Sequence, residues 1–186
     1  MSNTVELIMS TDGESFERQN VPFGTHQAAI SSIIDFGEQD TDWGIKKQIE
    51  LTFEFPEHIG TFKDGEQLPL FIAKRYTLSL HPKSALAKDL VMMRGAALPA
   101  EFNIYSMLGA NVLASVIHIP KDGVTYANVN GFAPIKDVAL GVDLYQPAKL
   151  TSYLIGMQGG IDILASLPEW KEQRIRAAKN FTDIPF

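Results

Sequence analysis

The sequence predicts a mainly β protein with short helices: a five-stranded barrel with a helix between its third and fourth strands, followed by a C-terminal helix and a tail. Three observations carry this. Residues 45–55 alternate apolar and polar with a period of two, Asp122-Gly123 stands between two more strand-like runs, and Leu86, Leu90 and Met93 repeat at helical spacing shortly after a proline.

Taken in order, residues 1–22 mix acidic and polar groups around Gly13 and read as an N-terminal arm with one edge strand near Val5 to Met9. The first barrel strand follows, from Gly24 to Phe36, with Ala28, Ile30, Ser32, Ile34 and Phe36 expected on one face. A polar connection, Gly37 to Gly44, carries Trp43 at its end. In the second strand Ile45, Ile49, Leu51, Phe53 and Phe55 share the core face with Lys47, against Lys46, Gln48, Glu50, Thr52 and Glu54. Proline lacks the N–H a ladder needs, so Pro56 is expected to end this strand and open a loop to Pro69.

The third strand runs from Leu70 to Leu80 through Lys74-Arg75-Tyr76. A helix opens at Pro82 or is capped by Ser84, and Gly95 ends it. A second short helix is expected between Pro99 and Gly109, and strands at 110–119 and 124–133 form a hairpin about Asp122-Gly123. Strand, strand, strand, helix, strand, strand is the order of the OB-fold, a Greek-key barrel that binds oligonucleotides across its second and third strands and adjoining loops. The domain reading is therefore an arm (1–22), an OB-fold domain (23–136), a C-terminal extension with a helix opening at Leu167-Pro168-Glu169-Trp170 (137–180), and a terminal tip (181–186).

Composition narrows the function. The 186 residues are 45% hydrophobic and 20% charged, ordinary for a globular chain. With no cysteine, thiolate zinc sites and cysteine nucleophiles are excluded. No apolar run approaches the roughly 18 residues of a membrane span, and the first residues lack a basic, apolar leader, so a cytoplasmic setting without membrane contact is expected. The net charge of −6 is unevenly spread: residues 1–68 hold 13 acidic and 4 basic groups, residues 69–149 hold 5 and 8. An acidic body can thus carry one positive groove.

Capture of single-stranded nucleic acid needs cations for phosphates and aromatic faces for bases. Trp43, Lys46, Lys74, Arg75, Tyr76, Arg94, Lys121 and Tyr126 supply these types on or beside the barrel strands. Strand alternation sets Lys74 and Tyr76 on the face opposite Arg75, and Arg94 equally suits a charge at a helix C-terminus. Catalysis finds little support. His26, His58, His81 and His118 have no paired spacing, Asp35, Asp143 and Asp162 form no carboxylate cluster in sequence, and Gly156 to Gly160 lacks the Gly-Lys-Ser/Thr of a phosphate loop. The expectation is a non-enzymatic protein without metal or cofactor. An adaptor that binds protein through the same fold and a metal-dependent nuclease are the alternatives, and self-association is left open.

The terminal Asp183-Ile184-Pro185-Phe186 resembles the tip of bacterial single-stranded DNA-binding proteins, although Phe181-Thr182 stand where further acidic residues occur in that family. The resemblance implies that these four residues recruit replication or recombination proteins, the aromatic ring and free carboxylate acting as anchor. The wider chain resembles phage-encoded single-stranded DNA-binding OB proteins. That likeness rests on Gly24-Thr25-His26-Gln27-Ala28, Asp35-Phe36-Gly37, Phe53 to Glu57, Tyr76 to Leu80 with Lys83-Ser84, Arg94-Gly95, Leu108-Gly109 and Leu167 to Trp170 in this order. Met92-Met93 replace the aromatic expected before Arg94-Gly95. A role in phage DNA replication or recombination, in the host cytoplasm, is what this resemblance implies.

Overall fold

The computed structural model describes residues 6–9, 15–62, 65–135 and 143–182. The arm is a hairpin of β1 (Glu6–Met9) and β2 (Ser15–Arg18), so the expected edge strand has a partner. Then come β3 (Gly24–Thr41), β4 (Gly44–Thr61) and β5 (Gln67–Thr77), helix α1 (Ala85–Arg94), a 3-10 turn (Ile104–Met107), and the hairpin of β6 (Asn111–Lys121) and β7 (Val124–Pro134). The C-terminal part adds β8 (Thr151–Tyr153), α2 (Gly160–Ser166) and α3 (Glu169–Arg176). The fold is mainly β: besides the β1-β2 pair, the described residues form a larger sheet of order β5-β4-β3-β6-β7, antiparallel along this path, with β8 joining β3 in parallel. No helix among the described residues is long and apolar enough to cross a membrane.

The first strand departs from simple alternation. A bulge between Ile30 and Ser32 inserts one residue and reverses which side chains face inward. Ala28, Ile30 and Ile33 therefore join the main core, whereas Ile34 and Phe36 face the other way. The expected single face from Ala28 to Phe36 is thus split between two cores. The outward pair is covered by the C-terminal segment: Ile34 and Phe36 pack with Tyr153, Leu164 and Ile175. Each such buried side chain stabilises the fold by about 1.5–3 kcal/mol. A further bulge at Asp35/Gly37 seats this layer, because Gly37 sits at φ +68° and any side chain there would strike Ile155, Ala178 and Asn180.

The second strand does not stop at Pro56. It continues to Thr61, the proline falling within the register shift between Phe55 and Ile59 where no ladder bond is required of it. Most of the expected 56–69 loop is therefore strand. The third strand ends at Thr77, opposite Gln48, and Ser84 rather than Pro82 caps α1, its Oγ accepting the Ala87 N–H at 3.1 Å. Leu86, Leu90 and Met93 turn inward as their spacing predicts. Asp122 (φ 51°) and Gly123 (φ 80°) form the β6–β7 turn, the left-handed pair that an Asp-Gly hairpin uses. Edge strands β5 and β7 supply one core together, Ile72 and Tyr76 from one and Val129 and Phe132 from the other.

Candidate nucleic-acid interface

Alternation along β5 separates three consecutive residues into two environments. Lys74 and Tyr76 point inward to α1. Asp89 on that helix accepts from Lys74 Nζ at 2.7 Å and from the Tyr76 hydroxyl at 2.8 Å. The Tyr76 ring is only 4% exposed, and burial followed by the Asp89 charge holds its phenol far above the ordinary value. A ring so enclosed has no face to offer a base. Lys74 is likewise committed to Asp89, its ammonium lying 5.4 Å from the centroid of Phe132 on β7.

Arg75 points the other way, onto the outer face of the sheet. Its guanidinium donates to Glu50 at 2.9 Å and lies 4.5 Å from the Phe36 ring centroid and 5.5 Å from that of Trp170. Helix α3 brings Lys171, 2.6 Å from the other Glu50 oxygen, and Arg174, whose Nη2 donates to Gln48 at 3.2 Å. Two cations thus pair with one carboxylate, and a third is held nearby on Gln48. Burial and the neighbouring Arg75 charge lower the Arg174 pKa, with Glu50 acting in the opposite sense. Trp170 stacks against Phe36 at 6.2 Å yet leaves half its surface in solvent.

An open groove of about 560 Å³ adjoins this cluster where β5 leads into α1. Lys74, Arg75, Ser79, His81, Lys83 and Ser84 line it, and His81 and Lys83 are exposed. Beyond the sheet the β3–β4 hairpin projects as a two-stranded stalk in which Glu38 faces Lys47 and Thr41 faces Gly44. Lys46 and Lys47 are exposed on the stalk, and Trp43 at its tip is 86% exposed. Lys179, just after α3, donates to Asp40 at 2.7 Å and ties the stalk to the helical layer.

The remaining expected contacts lie elsewhere. Arg94 folds back to donate to Ala97 O at 2.8 Å and sits over Phe102, which is the work of a helix-terminal charge. Lys121 is exposed in the β6–β7 turn. Register carries that turn past Gly24, whereas Trp43 lies past Thr41, so the two hairpin tips extend beyond opposite ends of β3. Tyr126 is half-buried beside Lys121 and belongs to the far end too. Asp183, Ile184, Pro185 and Phe186 lie outside the described residues.

Sequence reasoning missed Trp170, Lys171, Arg174 and Lys83. The signal was present in the final helix, where an aromatic and two cations share adjacent turns, but nothing in the sequence said that this helix would pack on β3 within reach of the Arg75 side chain. Two histidines read as scattered also meet: His26 Nδ1 and His58 Nε2 are 3.0 Å apart. The carboxylates considered for a nuclease do other work in the case of Asp35, whose oxygens accept from Gly37 N and Ile155 N. No family model matches the chain, and no curated protein matches it.

Proposed function

We propose that the chain is a non-enzymatic, sequence-tolerant single-stranded DNA-binding protein built on an OB-fold barrel, acting in phage DNA replication or recombination. Its tip, Asp183 to Phe186, serves to recruit partner proteins in this reading. The barrel is supported by the strand order β5-β4-β3-β6-β7, by the helix between the third and fourth strands of that sheet, and by the core that both edge strands share.

The observation that carries the reading is the clustering of Arg75, Lys171 and Arg174 on the outer face of an acidic chain, with half-exposed Trp170 beside them and an adjoining groove that Arg75 and Lys83 line. Glu50 offsets only part of that charge, which leaves a local positive potential to attract phosphates. Exposed Lys83 and the partly exposed guanidiniums suit backbone contact. Trp170, and Trp43 on the stalk, suit stacking worth about 1–3 kcal/mol per base, which favours no particular sequence because every base has a π-face. Committed to Asp89, Lys74 and Tyr76 instead fix the position of the strand that presents Arg75.

The test is a titration of labelled single- and double-stranded oligonucleotides at several salt concentrations, with and without magnesium. Preferential single-strand binding that weakens as salt rises is expected, because phosphate contacts release counterions. Absence of binding at low salt would overturn the proposal, and shortening of the strand on adding magnesium would replace it with the nuclease.

A further inference from the structure

At the end of the sheet away from Trp43, His26, Glu57 and His58 converge, with one ligand-type atom from each lying within 4.8 Å of the others. The fold builds this group from two distant stretches. His26 stands near the start of β3, on the parity of Ala28 and Ile30, and its ring meets the edge of Phe55 at 6.4 Å. Glu57 and His58 sit in the β4 register shift between Phe55 and Ile59. In a regular strand two consecutive side chains point to opposite faces; the bulge lets both reach the same point.

The hydrogen bonds fix one tautomer. His26 Nε2 lies 2.9 Å from Pro22 O, which can only accept, so Nε2 carries the proton and Nδ1 turns a lone pair toward His58. An imidazole whose far nitrogen donates to a backbone carbonyl is the arrangement that orients metal-ligating histidines. Two ligands at tetrahedral zinc, each about 2.0–2.1 Å from the metal, stand roughly 3.3 Å apart. The present 3.0 Å between the ring nitrogens is short of that by a few tenths of an ångström. A small opening of the pair, with His58 shifting its proton to Nδ1, would admit the ion.

We propose that His26 Nδ1, His58 Nε2 and the Glu57 carboxylate form a binding site for a first-row divalent cation of the zinc type, water completing the coordination. Two imidazoles and a carboxylate favour zinc over magnesium or calcium, which prefer all-oxygen sets. All three residues retain solvent access, so an entry path exists. The ion would clip the start of β3 to the bulged end of β4. Through Pro22 it would also bear on the segment before β3, which is anchored by Asn20 donating to Thr125 O and by His118 bonding Val21 O. This site is independent of nucleic-acid binding.

The experiment is calorimetric titration of the untagged, chelator-stripped full chain with zinc chloride, paired with cobalt(II) absorption. One ion per chain is expected, with a visible d–d band for cobalt. His26→Gln and His58→Gln should each weaken zinc binding by at least about 10-fold, while His81→Gln leaves it unchanged. Circular dichroism verifies that each variant is folded, and His58, half-exposed on a bulge, tolerates glutamine without a cavity. Absence of saturable binding, or binding that His58→Gln does not weaken in a folded protein, would overturn the proposal.

Discussion

The inner and outer sides of β5 make an instructive pair. Lys74 and Arg75 are neighbours in sequence, similar in exposure, and each is paired with a nearly buried carboxylate. Inward, one carboxylate serves one cation and one phenol, and the group is closed. Outward, one carboxylate meets Arg75 and Lys171, with Arg174 close enough that the Arg75 charge helps lower its guanidinium pKa, and the group retains positive charge. Similar residue types thus form a closed group on one face and an open, positively charged one on the other, and the local balance of charges separates the two.

The sharpest way to break this contrast is to remove the inner acid. Asp89→Ala leaves Lys74 and Tyr76 without their partner in the core, and a loss of about 3 kcal/mol in unfolding free energy is expected by denaturant titration. A loss below about 1 kcal/mol would mean that the inner group does not hold α1 to β5. On the outer side, Lys83→Ala should leave stability within about 0.5 kcal/mol. It should also reduce the salt dependence of single-strand binding by about 0.7 in the log–log slope, the share of one phosphate contact. An unchanged slope would remove Lys83 from the interface.

A smaller effect sharpens the inner side. The phenols of Tyr76 and Tyr105 are both raised above the ordinary value of 10, chiefly by burial, so the native state keeps them protonated where the unfolded chain ionises them. Their contribution to stability is complete below about pH 10 and is lost as pH rises above it. Phenolate absorbance in an alkaline titration should show these two tyrosines ionising only with unfolding. Tyr76→Phe should remove one reluctant group, cost about 1 kcal/mol for its hydrogen bond, and leave DNA binding intact.

Much of this was legible in the sequence where a local rule governs. The helix at 85–94, the Asp-Gly turn and the separation of Lys74 and Tyr76 from Arg75 all follow from spacing or parity. Bulges were not legible. One inserted residue near Ser31 moved Ile34 and Phe36 to a second core, and another beyond Phe55 carried β4 through Pro56 and brought Glu57 and His58 to His26. Nor was the docking of α3 legible, since an aromatic and two cations on a helix do not reveal which strand lies beneath. The candidate interface was accordingly half seen: Arg75 and Trp43 from the strands, but Trp170, Lys171 and Arg174 only once the C-terminal layer was in place.

The chain has two tryptophans, so the central claim can be read from one ring. In Trp43→Phe the sole reporter is Trp170, 5.5 Å from the Arg75 guanidinium and half-exposed on the outer face. Fluorescence titration of this variant with oligothymidylate at low salt should show saturable quenching that is reversed by added salt. Binding detected by a labelled oligonucleotide while Trp170 emission stays unchanged would contradict an interface on the outer face of β5 and α3.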